Sequence, residues 1–487
     1  MSIDAEFRKA AGLQKKGQVG QAAAIYENIL HRFPKNQRAL EALRLLRTKR
    51  ILSAISTKSL TAEHLQALIH LLEQRHLDDA AFAVDRLLKA FPNNPKLANI
   101  AGVVFSNRHE FEQAVSCFRL AINLDPTDPD TFSNLGNALL DSNQMDEAQV
   151  AFQRALEIDP ENVFALSNYG RLLVAEHDLE KAEACFIKAR SIDPSNIEVL
   201  NSLGSVLVDT DRFQESLLIF QEALKKDPSY WRLHKNMAVA MLRLDRKSEA
   251  LAHYRKVEQL HPGLEDVRHM IAALGGDRID RASAAYVETL FDGFAGDFNT
   301  NLVDRLDYRL PEEVVELLTK TLGLTKVAKT LDLGCGTGLL APHIRPLTDI
   351  LVGVDLSAKM IDHARRTKLY DQLVKTDAHE FLTACDMEFD LVLALDVLIY
   401  VGDVEELFEG LTGVCLPGAR VILSTETIAG EGFALQQTGR YAHADSYLAA
   451  CATRYGFIVE HHQPTVIRVE RGQPVAGSIH SLVVPPR

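Results

Sequence analysis

Residues 331–338 read Leu-Asp-Leu-Gly-Cys-Gly-Thr-Gly, an apolar run that carries one acid and then breaks into glycines at 334, 336 and 338. Glycine accepts positive φ and lets a ligand approach the main chain closely, so a turn of this kind between a strand and a helix is suited to holding a small molecule. Glycines alone serve NAD and other adenosine ligands equally well. A dinucleotide turn would be spaced Gly-x-Gly-x-x-Gly, however, and Asp332 would repel a pyrophosphate. The same acid would orient the turn and meet the cationic amino group of a methionine moiety. The pattern therefore favours a sulfonium cofactor, S-adenosylmethionine.

More acids follow at the ends of later apolar runs. Asp355 stands 17 residues beyond Gly338, in position to accept both hydroxyls of a ribose. Asp377 would accept from an adenine amino group, with Ala378 donating its backbone N–H and with Leu356 and Met360 sandwiching the ring. Capping of the following helix is the alternative use of Asp377. The run ending in Leu395-Asp396-Val397-Leu398-Ile399-Tyr400 would face the transferred group. Cys335 has no paired base and reads as a packing residue, not a nucleophile.

The elements that must position these residues show in the periodicity. From 326 onward β-rich runs at Val327–Leu333, Ile350–Asp355, Gln372–Thr376, Phe389–Ala394 and Arg420–Thr425 alternate with helical stretches. That alternation predicts a parallel sheet covered by helices on both faces, an α/β Rossmann-like domain over 281–487.

In Asp332, the three glycines, Asp355 and Asp377, the segment from about 280 to 487 resembles the class I S-adenosylmethionine-dependent methyltransferases, including a two-stranded ending at Val466–Val469 and Ser481–Val484. It is most similar to a bacterial group in which tetratricopeptide repeats precede such a domain. The resemblance implies that Leu290-Phe291-Asp292-Gly293-Phe294-Ala295-Gly296-Asp297-Phe298 caps the cofactor, although Phe291 and Phe294 would equally serve as ordinary core. It also implies that Tyr308-Arg309 reaches the methionine carboxylate, and that the acceptor lies near Gly439-Arg440-Tyr441-Ala442-His443 and the helix around Tyr447. There His443 would act as base, Arg440 would hold an anionic substrate and Tyr441 would stand beside them; the alternative is a solvated loop that caps a helix. The Asp/Asn-Pro-Pro-Tyr/Phe sequence used for planar amines is replaced by Leu395-Asp396-Val397-Leu398, which disfavours nucleic-acid adenine and protein glutamine as acceptors. An O, N or carboxylate acceptor remains.

The first half of the chain obeys a different period. Prolines at 126, 160, 194, 228 and 262 recur every 34 residues, with small residues at Gly102, Gly136, Gly170, Gly204 and Ala238 and aromatics at Phe118, Phe152, Phe186, Phe220 and Tyr254. This phase resembles the tetratricopeptide repeat and predicts an all-α solenoid over 1–264. An irregular break is expected at about 37–60, and a glycine-punctuated linker at 265–280. The inner wall of such a solenoid receives a protein or peptide in its concave groove. Asn134, Asn168 and Asn236, with Ser202 in the remaining copy, would either hydrogen-bond an extended peptide or fill local packing positions.

Bulk properties set the remaining bounds. A chain of 487 residues exceeds one core, and 53 Lys and Arg against 66 Asp and Glu give a formal charge of -13, which disfavours nucleic acid and anionic membranes as partners. The six cysteines form no Cys-x-x-Cys pair, so no metal site is expected and a reducing cytoplasm suits the chain. Neither a signal peptide nor an apolar run of roughly 18 residues is present in the sequence. Two functions fit: an enzyme whose repeats recruit a protein or protein-bound substrate, or a repeat scaffold that senses the cofactor without turnover.

Overall fold

The computed structural model describes residues 3–294, 306, 308–470 and 472–486. The chain divides into two compact units, Met1–Pro228 and Ser229–Arg487.

The first unit is a solenoid of antiparallel helix pairs, among them Pro95–Asn107 with Phe111–Leu124, Pro129–Asp141 with Met145–Ile158 and Val163–Ala175 with Leu179–Ile192. Each first helix begins at a side chain that accepts from the opening turn: Asn94 from Leu97 N–H, Asn162 from Ala165 N–H and Asn196 from Val199 N–H. The glycine of each repeat exists because of its aromatic. A Cβ on Gly136 would lie 2.5 Å from the Phe152 ring and one on Gly170 would lie 2.7 Å from that of Phe186. Between paired helices one residue adopts a left-handed backbone, at Arg75, His109, Asn143, His177 and Asp211, which is again a spacing of 34.

The segment at 37–60, expected as an irregular helix that interrupts the repeats, forms one continuous 21-residue helix, Gln37–Thr57, started by the Asn36 side chain. Its basic run is partly consumed inside the solenoid: Arg44 and Arg47 both pair with the buried Asp79, at 3.5 and 3.1 Å. The asparagine ladder also serves the stack. Asn134 donates to Asn99 of the preceding repeat at 3.1 Å, and Asn168 donates to Ser133 at 3.4 Å.

The second unit begins with the helix pair Trp231–Arg243 and Lys247–Leu260, followed by the helix Glu265–Gly275 in the stretch expected to be a linker. The glycine pair does end that helix, with Gly276 in the left-handed region, but Val267, His269, Ala272 and Ala273 before it form a buried face.

A nine-stranded sheet follows: β1 (Val327–Leu333), β2 (Thr348–Asp355), β3 (Gln372–Lys375), β4 (Phe389–Ala394), β5 (Cys415–Thr427), β6 (Phe433–Leu435), β7 (Tyr441–His443), β8 (Ile458–Glu470) and β9 (Gln473–Val483). The order is β3-β2-β1-β4-β5-β7-β6, with β9 antiparallel to β5 and to β8. Strands β1 to β5 run parallel; β1, β2, β4 and β5 carry apolar stretches buried on both faces, while β3 is a half-exposed edge strand. Leu331, Val352, Val392 and Val421 point to one core layer, under the helices Ala378–Ala384, Glu405–Val414 and Asp445–Arg454. Leu351, Leu391, Leu393 and Ile422 point to the other, under Leu310–Glu316 and Ala341–Ile344.

β9 occupies one edge of β5 through Glu426, whereas β4 holds the opposite edge only as far as Leu423. β7, paired at Glu426 and Thr427, therefore lies in line with β4 beyond its carboxyl end, and the β6–β7 hairpin roofs that exit.

Candidate functional site

Every residue singled out for the glycine turn lies at the carboxyl ends of β1, β2, β3 and β4. The turn after β1 places Gly334, Gly336 and Gly338 at φ of 74°, 54° and 85°. A Cβ on Gly334 would stand 2.5 Å from Val397 Cγ2, so the loop after β4 presses on this turn. Asp355, at the end of β2, ties the two loops together: its Oδ2 accepts from Gly336 N–H at 2.9 Å and its Oδ1 from Ser357 N–H at 2.8 Å. Burial raises its pKa and these backbone donors oppose the rise. Asp332 is buried behind the turn, where Oδ2 accepts from the Tyr370 hydroxyl at 2.6 Å. Burial pushes its carboxyl up to about 7, against the Tyr370 hydrogen bond and with some help from the charge of Asp355.

Asp377 caps the helix Ala378–Ala384 through His379 N–H at 2.9 Å, while its Oδ2 pairs with Arg281 at 3.2 Å. Leu356 and Ala378 are half-buried beside these ends, Met360 is fully enclosed, and Leu395 is half-buried just past β4. Arg309 is exposed at the start of the helix Leu310–Glu316. The described part of the expected capping segment spans the mouth of the site: Phe291 packs edge-on against Tyr400 after β4, and Asp292 accepts from Ser357 after β2. The Phe294 side chain and residues 295–298 lie outside the described residues.

The segment with Arg440, Tyr441 and His443 is not a solvated loop. Tyr441 and His443 belong to β7 and are fully buried. The Tyr441 hydroxyl donates to Ile279 C=O at 3.0 Å, and Arg440 pairs with Glu470 and, at 3.9 Å, with Glu426. His443 Nε2 lies 3.0 Å from the Gly402 carbonyl, whereas its Nδ1 is buried with no hydrogen-bond partner; burial lowers its pKa and keeps the ring neutral.

Sequence reasoning missed the ionic cluster under this roof. Arg468, 2% exposed, pairs with Glu426 and donates to Glu470 at 2.7 Å. Asp396 faces the same group with a left-handed backbone, φ 56°, and one buried oxygen, Oδ1, that has no hydrogen-bond partner. Burial raises its pKa; Arg468, Arg440 and the Tyr308 hydroxyl pull the other way. The left-handed backbone turns this aspartate back toward the ion cluster at the end of β4. That conformation had no signature in the sequence, although Asp396 lay inside a stretch already singled out.

Strand order, glycine turn and the acids behind it define the Rossmann-like fold of the class I methyltransferases, whose cofactor is S-adenosylmethionine. Residues 331–423 match a family model described as a methyltransferase domain. Residues 139–205, 65–129 and 201–265 match tetratricopeptide-repeat models. The chain thus carries tetratricopeptide repeats followed by a methyltransferase domain. A ubiquinone biosynthesis O-methyltransferase of Coxiella burnetii (strain Dugway 5J108-111) is 31% identical over 98 residues, covering 20% of this chain and 42% of that protein. The namesake of Thiobacillus denitrificans (strain ATCC 25259 / T1) is 32% identical over 102 residues, covering 20% and 44%. The chain thus spans about two fifths of the length of these curated relatives. Among solved structures, the APC/C hetero-tetramer Cut9-Hcn1 is similar with a TM-score of 0.42 at 17% identity, covering 55% of this chain and 54% of that one. Among the described residues no helix is long and apolar enough to cross a membrane.

Proposed function

We propose that this protein transfers a methyl group from S-adenosylmethionine to an O, N or carboxylate acceptor on a protein, or on a protein-bound molecule, that the repeats recruit. The observation that carries the reading is the left-handed glycine turn at the end of β1, wired to Asp355 through Gly336 N–H and packed so closely on Val397 that Gly334 has no room for a Cβ. In this reading Gly334, Gly336 and Gly338 give the cofactor its main-chain floor, Asp355 accepts from the ribose, and Asp377 and Ala378 meet the adenine edge. Leu356 and Met360 flank the ring, Asp332 and Arg309 serve the amino and carboxylate groups of the methionine moiety, and Leu395 lines the methyl end. When bound, S-adenosylmethionine supplies an electrophilic methyl on a sulfonium.

What the protein must then do is align the acceptor behind that methyl and exclude water. The β6–β7 roof and the helix Ala284–Phe294 close the two sides of the mouth. For a hydroxyl or protonated amine a base is also needed. His443 suits that role because Nε2 is held by a carbonyl, which leaves the lone pair on Nδ1. Arg440 and Tyr441 are engaged elsewhere and act by fixing β7. The unpartnered oxygen of Asp396 is a second polar anchor for the acceptor.

Calorimetry with S-adenosylhomocysteine tests the cofactor site: Asp355→Ala should lower affinity by about 30-fold or more, losing a charge-assisted bidentate contact of about 2 kcal/mol. Unchanged affinity would sink the assignment. The acceptor is sought by incubating the protein and radiolabelled S-adenosylmethionine with cell extract; label confined to small molecules would argue against protein recruitment, and cofactor binding with no transfer at all would favour the sensing role.

A further inference from the structure

β8 and β9 pair antiparallel with His462 directly opposite His480, so the two imidazoles stand on one face of the ribbon, 4.9 Å between ring centroids. The helix Asp445–Arg454 starts beside them, and its first residue aims a carboxylate between the rings. His462 Nε2 is 3.2 Å from Asp445 Oδ2, and His480 Nε2 is 3.4 Å from Asp445 Oδ1. One nitrogen from each ring and the carboxylate oxygens thus converge, all within 4.8 Å of one another.

We infer that Asp445, His462 and His480 form a binding site for a divalent transition-metal ion of the zinc class. A tetrahedral zinc ion with ligand bonds of about 2.1 Å spaces its ligand atoms about 3.4 Å apart; each imidazole nitrogen already lies 3.2–3.4 Å from one oxygen of the Asp445 carboxylate, and small side-chain rotations bring one oxygen and both nitrogens onto a common ion. The ligand chemistry is apt, two imidazoles and one carboxylate. His480 is 3% exposed, so its ring is enclosed with Nε2 on the side of the Asp445 carboxylate. Asp445 Oδ1 is a buried atom with no hydrogen-bond partner, as a ligand oxygen awaiting a cation would be. The His462 and Asp445 side chains are 35% and 41% exposed, so the ion has an entry path and water has a fourth position.

The competing account is a carboxylate shared by two imidazoles, which also contact hydroxyls, His462 Nε2 that of Ser478 at 3.1 Å and His480 Nε2 that of Thr425 at 3.4 Å. The two accounts differ in what the cluster does with metal. A bound ion would tie the start of the helix Asp445–Arg454 to β8 and β9, two residues after His443, and so brace the roof of the acceptor side. The inference does not depend on the methyl-transfer reading.

Tag-free full-length protein, stripped with a chelator, should be titrated with zinc chloride in competition with a chromophoric zinc indicator. The expected result is one zinc per chain at sub-micromolar Kd, weakened by about 30-fold or more in His462→Ala and in Asp445→Asn. Both residues are accessible, so these variants should keep the wild-type circular dichroism. His461→Ala and His253→Ala should bind as wild type; the latter controls for another imidazole pair, His234 and His253, whose Nδ1 atoms lie 3.0 Å apart. Cobalt(II) should give the intense visible bands of four-coordination, lost in His462→Ala. Wild-type affinity in His462→Ala, or zinc lost on His253→Ala instead, would overturn the site.

Discussion

Two sets of glycines recur in this chain for opposite physical reasons. Those of the repeats, Gly102, Gly136, Gly170 and Gly204, sit in helices whose backbone any residue adopts, and what they provide is the absence of a Cβ where a phenylalanine ring lies. Those of the turn after β1 have φ between 54° and 85°, which non-glycine residues adopt at a cost, and Gly334 in addition faces Val397. The first set is a packing device repeated along a stack, so one loss is local. The second is a single conformation on which a site depends, so one loss is total.

The largest effect expected from this contrast is in the turn. Gly334→Ala should weaken S-adenosylhomocysteine binding by about 100-fold, since left-handed strain of about 1–2 kcal/mol adds to displacement of Val397. Calorimetry reads it, and wild-type affinity would erase the distinction between the two sets. Gly136→Ala should instead leave that affinity intact and destabilise the repeat unit by about 1–2 kcal/mol, because overpacking against Phe152 outweighs the roughly 1 kcal/mol that alanine gains in a helix. Denaturant unfolding followed by circular dichroism reports it.

A pH test sharpens the turn further. Asp332 is raised from 3.8 to about 7 in the folded state, so the native protein binds this proton more tightly than the unfolded chain does. Stability is favoured at low pH and lost as pH rises from about 4 through 7. Asp332→Asn should therefore raise the thermal midpoint of the cofactor-free protein near pH 8, by an amount equivalent to about 1–3 kcal/mol, and leave it unchanged near pH 4.5. The same shift at both pH values would assign the effect to packing. The smallest effect belongs to the repeats: His177, held at φ 61°, should be replaceable by glycine with a gain of about 0.5–1 kcal/mol, seen as a higher midpoint with no change in cofactor affinity.

The contrast also explains what was legible in the sequence. The repeat phase and the glycine turn are local patterns, set within one or two elements, and they specified the solenoid, the sheet and the positions of Asp332, Asp355 and Asp377. Residues whose role depends on distant partners were not visible. Arg468 and Glu470 alternate with Ile467 and Val469 like the wet face of an edge strand, yet Arg468 is enclosed because Glu426 and Glu470 neutralise it. The segment 441–443 is too short to read as a strand, and its state is fixed by pairing with β5. The segment 37–60 suggested irregularity because it breaks the repeat phase and carries a basic run, and the partner of that run, Asp79, lies one helix pair away.

The helix Glu265–Gly275 is an internal brace of the second unit. His269 is buried in a stack on Tyr286, 4.3 Å between centroids, and its Nε2 lies 2.7 Å from the carbonyl of Gly439, in the loop that leads into β7. Anyone wishing to separate the methyltransferase domain from its repeats would naturally cut at the glycine pair 275–276, and that cut would strip a supporting beam from the loop that leads into β7. A methyltransferase segment that keeps this contact therefore begins upstream of His269, and the helix Glu265–Gly275 travels with it.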